Sequence, residues 1–169
     1  MRIDEVEFTT IVREQIIAIC NERKIYDWLF RRLLDGMPYK EGNVISFFKR
    51  GVEGWKKNKA FVFLLVTRFG EVAAAVDIKT PNIENAEIGY WASESHQGCM
   101  TNTVIVLLTI AKEAGYSSLY ARVRKANSSS AGVLTRSGFS LDDSNEDDTY
   151  SFYRIALNKE KRGKVIGNE

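Results

Sequence analysis

Apolar residues along this chain follow two periods, and each change of period marks a boundary between elements. Val6, Phe8 and Thr10 alternate with Glu7 and Thr9, the two-residue period of a half-buried strand, until the pattern changes near Arg13. From Arg13 to Gly36 the apolar positions fall mostly three or four apart, at Ile16, Ile17, Ile19, Cys20 and again at Tyr26, Leu29, Phe30 and Leu33. That spacing predicts one helix or two, stopped by Gly36 and Pro38. Val44, Phe47, Phe48, Val52 and Trp55 trace another helical stripe, whose simplest role is core packing. Residues 60–66 (AFVFLLV) and 71–78 (EVAAAVDI) are apolar runs joined by a short turn, as in adjacent antiparallel strands. A strand over 86–92 (AEIGYWA), a loop, and a helix of roughly TNTVIVLLTIAKEA capped by Gly115 come next. Residues 117–124 (SSLYARVR) predict a strand, 128–137 a short helix ending at Gly138, and 149–157 (TYSFYRIAL) a closing strand. The charged segment after it, 159–169, is expected to be a frayed tail.

Composition narrows the classes. One hundred and sixty-nine residues at 44% hydrophobic content suffice for one core, so a single domain over 1–158 is expected. A net charge of +2 announces neither a nucleic-acid nor a membrane partner. FVFLLV is far shorter than the ~20 residues of a membrane span, and no positively flanked apolar leader opens the chain, so a cytoplasmic protein is expected. Cys20 and Cys99 stand far apart beside a single histidine, which argues against a disulfide framework and a metal site.

The chemistry concentrates in three strings. The first is AEIGYW (86–91). The second is HQG (96–98) followed, after Cys99, by Met100, Thr101 and an apolar helix. The third is NSSSAGVLTRSGF (127–139), which fits N-x-x-S-x-x-V-L-x-x-x-G-F at each specified position. A glycine turn opening a helix offers free N–H groups and a positive dipole end to an anion such as a pyrophosphate. In this order and spacing, across roughly residues 5–157, the strings resemble the GNAT acetyltransferases, within them the RimJ/RimL-like branch that acetylates ribosomal-protein amino termini.

The resemblance implies an α/β (α+β) fold, a mixed, mainly antiparallel sheet with helices on both faces. It implies acetyl-CoA as co-substrate, no metal, and transfer of acetyl to a primary amine by direct attack. Tyr90, Trp91 and Ala92 on the central strand, Gln97, Gly98, Cys99, Met100 and Thr101 in the loop, and Asn127 and Ser130 would surround the cofactor. The loop departs from the family, which has three residues including a second glycine where this chain has only Cys99. A shorter turn presents fewer N–H groups, and Asn102 replaces the family's glutamate. Cys99, at a helix start, is expected to have a lowered thiol pKa.

Amine acetylation needs a proton acceptor, a polarised carbonyl and a proton for the departing thiolate. Glu87 is the candidate base, on the strand face shared with Gly89 and Trp91; a structural ion-pairing role is the competing reading. Glu84 and Glu94 are lesser candidates. Backbone N–H groups around Tyr90 to Ala92 would polarise the carbonyl. Many enzymes of this fold place a tyrosine for the thiolate where this chain has Leu134; Ser130 supplies a hydroxyl instead, with a helix N-cap as its competing role. The acidic run 142–148 is either a solvated loop or a lure for a cationic acceptor. The acceptor itself is a protein N-terminus or a small amine such as an aminoglycoside or polyamine, and a homodimer is compatible with the resemblance. A degenerate module that binds CoA without turnover is the alternative from another class.

Overall fold

The computed structural model describes residues 1–144 and 148–157. The expected tail, and residues 145–147 of the acidic run, lie outside these. Among the described residues, six strands form one sheet in the order β1-β2-β3-β4-β6-β5, with β1 at Phe61–Val66, β2 at Val72–Ile78, β3 at Ala86–Ala92, β4 at Ser118–Arg124, β5 at Ser140–Leu141 and β6 at Tyr150–Ala156. Only β3 and β4 run parallel; every other neighbouring pair is antiparallel. The sheet is therefore mixed and mainly antiparallel, as the resemblance implies.

Both faces are covered because the strands alternate between two cores. Val62 and Leu64 of β1 and Val72 and Ala75 of β2 pack with α1 (Thr10–Cys20) and α3 (Glu41–Lys56). Ala74, Val76 and Ile78 of β2 and Ile88 of β3 point the other way, toward α4 (Cys99–Glu113) and Leu134 of α5 (Ser128–Arg136). Met100, Val104, Leu107 and Ala111, spaced by four, three and four residues, make the buried stripe that seats α4.

Residues 6–10 correct the first expectation. The chain opens with a single 3-10 turn, Ile3–Glu5, and contributes one isolated bridge, Arg2 to Phe63, instead of a ladder strand. Thr9 takes the N-cap of α1, its hydroxyl accepting from the Val12 N–H at 3.2 Å, so Thr10 is already helical. The alternation reflects one-sided burial, with Phe8 stacked on Phe48 at 4.1 Å between ring centroids. The stretch read as one helix or two breaks after Cys20. After Cys20 the chain resumes as a short helix, α2 (Arg23–Ile25), which widens into a π-turn over Tyr26–Phe30. β5, two residues long, is too short to leave a period.

β3 and β4 pair only at Ala86 with Leu119 and Glu87 with Tyr120. Both strands continue well past that point, so they diverge into an open V that runs to Ala92 on one side and Arg124 on the other. The α4 helix starts beyond the end of β3, and its seating on the sheet holds that start in place. Leu107→Ala empties a site that is 1% exposed and should cost about 2–5 kcal/mol in urea unfolding; a loss well under about 1 kcal/mol would show that α4 is not anchored there.

Candidate active site

The V opens into a cleft of about 900 Å³. Its walls include Glu87, Tyr90, Trp91, Ala92, Gln97, Gly98, Met100, Thr101, Asn127 and Ser130, so the three sequence strings meet in one place. Of the residues expected to surround the cofactor, Cys99 does not line it; its side chain packs partly into the core beneath α4. Glu94 lines the cleft, Glu84 and His96 do not. His96 instead accepts or donates to Ser95 through Nδ1 at 2.9 Å and faces Glu71 at 3.8 Å.

The loop turns on Gly98, which sits at φ +94°, a left-handed conformation that glycine adopts without strain. Gly98 is the N-cap of α4 and supplies no side-chain cap, which leaves the first-turn N–H groups of Cys99, Met100 and Thr101 without one. Arg136, on the last turn of α5, reaches the same spot, its Nε 3.4 Å from Thr101 Oγ1. An uncapped helix start beside a guanidinium fits a pyrophosphate, and the arginine adds charge where the shortened turn removes donors. Arg136 falls at an unspecified position of the third string, and its nearness to Thr101 depends on how α5 packs on α4.

The registers decide which backbone groups face the V. The Lys79 N–H donates to Glu87 O and the Ser93 N–H to Ala73 O, so odd-numbered residues of β3 turn their amides toward β2. The even-numbered amides, at Tyr90 and Ala92, therefore point at the edge that β4 has left. Side chains alternate as well: Tyr90 lies on the α4–α5 face, whereas Glu87, Gly89 and Trp91 lie on the face of α1 and α3, where Trp91 meets Phe47 at 6.3 Å.

On the α5 side, Asn127 is the N-cap of α5, its Oδ1 accepting from the Ser130 N–H at 3.1 Å. The Ser130 hydroxyl is thereby free of capping duty, and it lies 2.8 Å from the Tyr90 hydroxyl, which also donates to Ser130 O at 3.0 Å. Burial pushes the Tyr90 phenol up to about 12, so the pair stays protonated at neutral pH. Leu134, at the position where the fold often carries a tyrosine, is fully buried.

On the other face Glu87 is heavily engaged. Lys79 Nζ sits 2.6 Å from Oε1, Arg122 Nε 3.3 Å from the same oxygen, and the Tyr120 hydroxyl 3.4 Å from Oε2. Burial alone would raise this carboxyl, but Lys79 and then Arg122 outweigh it and hold it below the usual range. The geometry favours the ion-pairing reading that the sequence left open, because a paired carboxylate of lowered basicity is a weak proton acceptor. Asp77, directly opposite Gly89 on β2, carries no motif in the sequence, and burial pushes its carboxyl up to about 6.

The third wall comes from the α2 corner. Lys24, Trp28, Leu29, Arg32 and Leu33 face the cleft at helical spacing. Glu22 ties the corner to the end of β3, accepting from Ser93 Oγ at 2.7 Å and from the Glu94 N–H at 2.6 Å. Neither Lys24 Nζ nor the Arg32 guanidinium meets a carboxylate among the described residues. Among the described residues, too, no helix is long and apolar enough to cross a membrane, and no cluster of three or more His, Cys, Asp or Glu could hold a metal. The near half of the acidic run is tied down, with Asp142 Oδ2 accepting from Arg154 Nε at 3.1 Å.

A family model described as an acetyltransferase (GNAT) domain matches residues 9–140. No curated protein sequence matches the chain significantly. Among solved structures, the ribosomal-protein-S5-alanine acetyltransferase of Vibrio fischeri is similar at 18% identity and TM-score 0.71, covering 90% of this chain and 91% of its own. The microcin C7 self-immunity acetyltransferase MccE, in complex with acetyl-CoA and AMP, is similar at 19% identity and TM-score 0.69 over 85% and 86%. The spermidine N-acetyltransferase of Vibrio cholerae, with CoA and spermine, gives 14% identity and TM-score 0.67 over 90% and 94%.

The lowered Cys99 thiol pKa expected from sequence is corrected: burial raises it, outweighing its own amide and Thr103, whose pull is downward. Desolvation of the thiolate thus exceeds the favourable field of the helix start. Alkylation of Cys99 should still be accelerating with pH at and beyond the ordinary thiol value; a rate plateau at neutral pH would contradict this.

Proposed function

This chain belongs to the GNAT acetyltransferase family, and from that premise we propose that it moves acetyl from acetyl-CoA to a primary amine by direct attack. The observation that carries the reading is the V between β3 and β4 with an uncapped helix start and Arg136 at its mouth. The first-turn amides of α4 and the Arg136 guanidinium hold the pyrophosphate. Tyr90 and Ala92 direct their amides at the thioester oxygen, whose negative charge grows as the amine attacks. The C–N bond forms as the C–S bond breaks, and the Ser130 hydroxyl, backed by the Tyr90 phenol, protonates the thiolate. Glu87 stays ionised, with Lys79 and Arg122 bound, and helps orient the incoming neutral amine from the opposite face.

The acceptor wall supports a peptide N-terminus or a small amine that carries anionic or aromatic groups. Lys24, Arg32, Lys79 and Arg122 outnumber Glu87 and Glu94 there, and a polyamine would face repulsion. One observation favours the binding-only reading: the turn before α4 is two residues shorter than the family's usual loop. Thiol release from acetyl-CoA on a panel of peptide and small amines separates the two readings, since binding without release would support the module.

Ser130→Ala should lower kcat by about a hundredfold, at the low end of general acid catalysis, while CoA affinity changes little. Steady-state kinetics with calorimetry reads this; equal turnover of variant and parent would remove Ser130 from the reaction. Arg136→Ala should act in the opposite sense, weakening CoA binding by about tenfold, the value of one charge-assisted contact; unchanged affinity would place the pyrophosphate elsewhere.

A further inference from the structure

We propose that Asp77, lying over Gly89 on the acceptor face of β3, takes the proton that the attacking amine sheds; the inference rests on the acetyl-transfer reading. Asp77 and Gly89 are directly opposite in the β2–β3 ladder, so both face the side where Glu87 and Trp91 lie. A Cβ at residue 89 would stand 2.7 Å from Asp77 Oδ1 and 3.0 Å from Lys79 Cε. The carboxylate thus leans across the strand into space that only glycine leaves open. Gly89 lines the cleft, and Asp77, its neighbour across the ladder, does not.

Asp77 Oδ1 is shut off from solvent and has no hydrogen-bond partner among the described residues. An unsatisfied buried carboxylate oxygen is costly and calls for a reason. Glu87 offers a contrast, since three donors already occupy it. Burial raises the Asp77 carboxyl to about 6, against the lowering effects of Lys79 just past the end of β2, the Gly89 amide and, weakest, Arg50 on α3, and together with a raise from Glu87 on β3. Two neighbouring carboxyls with separated basicities divide the work: the paired one stays anionic, and the isolated one accepts a proton at neutral pH. The far end of Lys79 lies over the same open face of Gly89, its Cε and Nζ 3.0 and 3.4 Å from where a Cβ would stand, with Nζ held by Glu87. A shift of the Lys79 methylenes, with Nζ still on Glu87, opens Oδ1 to an incoming neutral amine or to one bridging water.

The step balances. The nitrogen lone pair bonds to the carbonyl carbon, the C–S electron pair leaves on sulfur, and the N–H proton passes to Asp77. A separate proton reaches the thiolate from the Ser130–Tyr90 pair on the other face. Donor and acceptor are kept apart by the strand itself.

Two variants test the assignment on the full chain. Carboxyl-carbon-labelled aspartate should give one NMR resonance titrating near pH 6 that is absent in Asp77→Asn; a midpoint in the ordinary range near 4 would overturn the proposal whatever the activity. With acetyl-CoA and either L-alaninamide or a Ser-initiated pentapeptide as acceptor, Asp77→Asn should slow thiol release by on the order of a hundredfold or more and flatten the acid limb of kcat/KM. CoA affinity should stay unchanged. Gly89→Ala keeps Asp77 but fills its outlet, and it should reproduce the kcat loss, which guards against a folding defect in the first variant. Activity of Asp77→Asn close to that of the parent, with the same acid limb, would overturn this proposal alone. Absence of thiol release by the CoA-bound parent on either acceptor would overturn the acetyl-transfer reading and this one with it.

Discussion

The early end of the β3–β4 ladder is the constraint on which the rest of the structure depends. After Glu87 and Tyr120 the strands stop pairing, although both continue as strands held by β2 and β6 on their outer sides. Backbone amides at Tyr90 and Ala92 are thus left facing an opening inside a sheet, where unpaired polar groups are ordinarily costly. An opening of this kind is tolerated when something else satisfies those groups, and an extended acyl-pantetheine chain could do so. The helix α4 follows from the same geometry, because Gly98 turns the chain at the mouth of the V and points the first helical turn back toward it.

The strand also divides the chemistry. Residues of even number on β3 look toward α4 and α5, where Tyr90 and Ser130 keep their protons. Residues of odd number look toward α1 and α3, where carboxylates gather around Gly89. A two-residue period, the simplest feature of a strand, therefore separates the protonated hydroxyl pair from the carboxylates without any long-range device. Electrostatics adds a second layer. Lys79 and Arg122 lower Glu87, while burial raises Asp77, so nearby acids of similar intrinsic strength are driven apart.

Much of this was legible in the sequence, and the limits have physical causes. The strand pair at 60–66 and 71–78 and the helix from Cys99 were readable because their periods are long, and the string 127–139 because Asn127 caps its helix. Val6–Thr10 misled because one-sided burial imitates the strand period, and the Thr9 cap overrides it. Cys99 misled because proximity to a helix start was weighed without the burial that opposes it. Arg136, Lys24 and Arg32 were invisible because each reaches the cleft through the packing of α5 or the π-turn of α2. Asp77 sits inside an apolar run, EVAAAVDI, and its position opposite a glycine exists only in the register of β2 on β3.

Amide hydrogen exchange on the full chain, with and without saturating acetyl-CoA, tests the central claim most directly. The account predicts slowed exchange at two separated stretches together, the diverging half of β3 at residues 90–92 and the first turn of α4 at residues 99–101. Unchanged exchange at both stretches, with binding of acetyl-CoA verified independently, would contradict it.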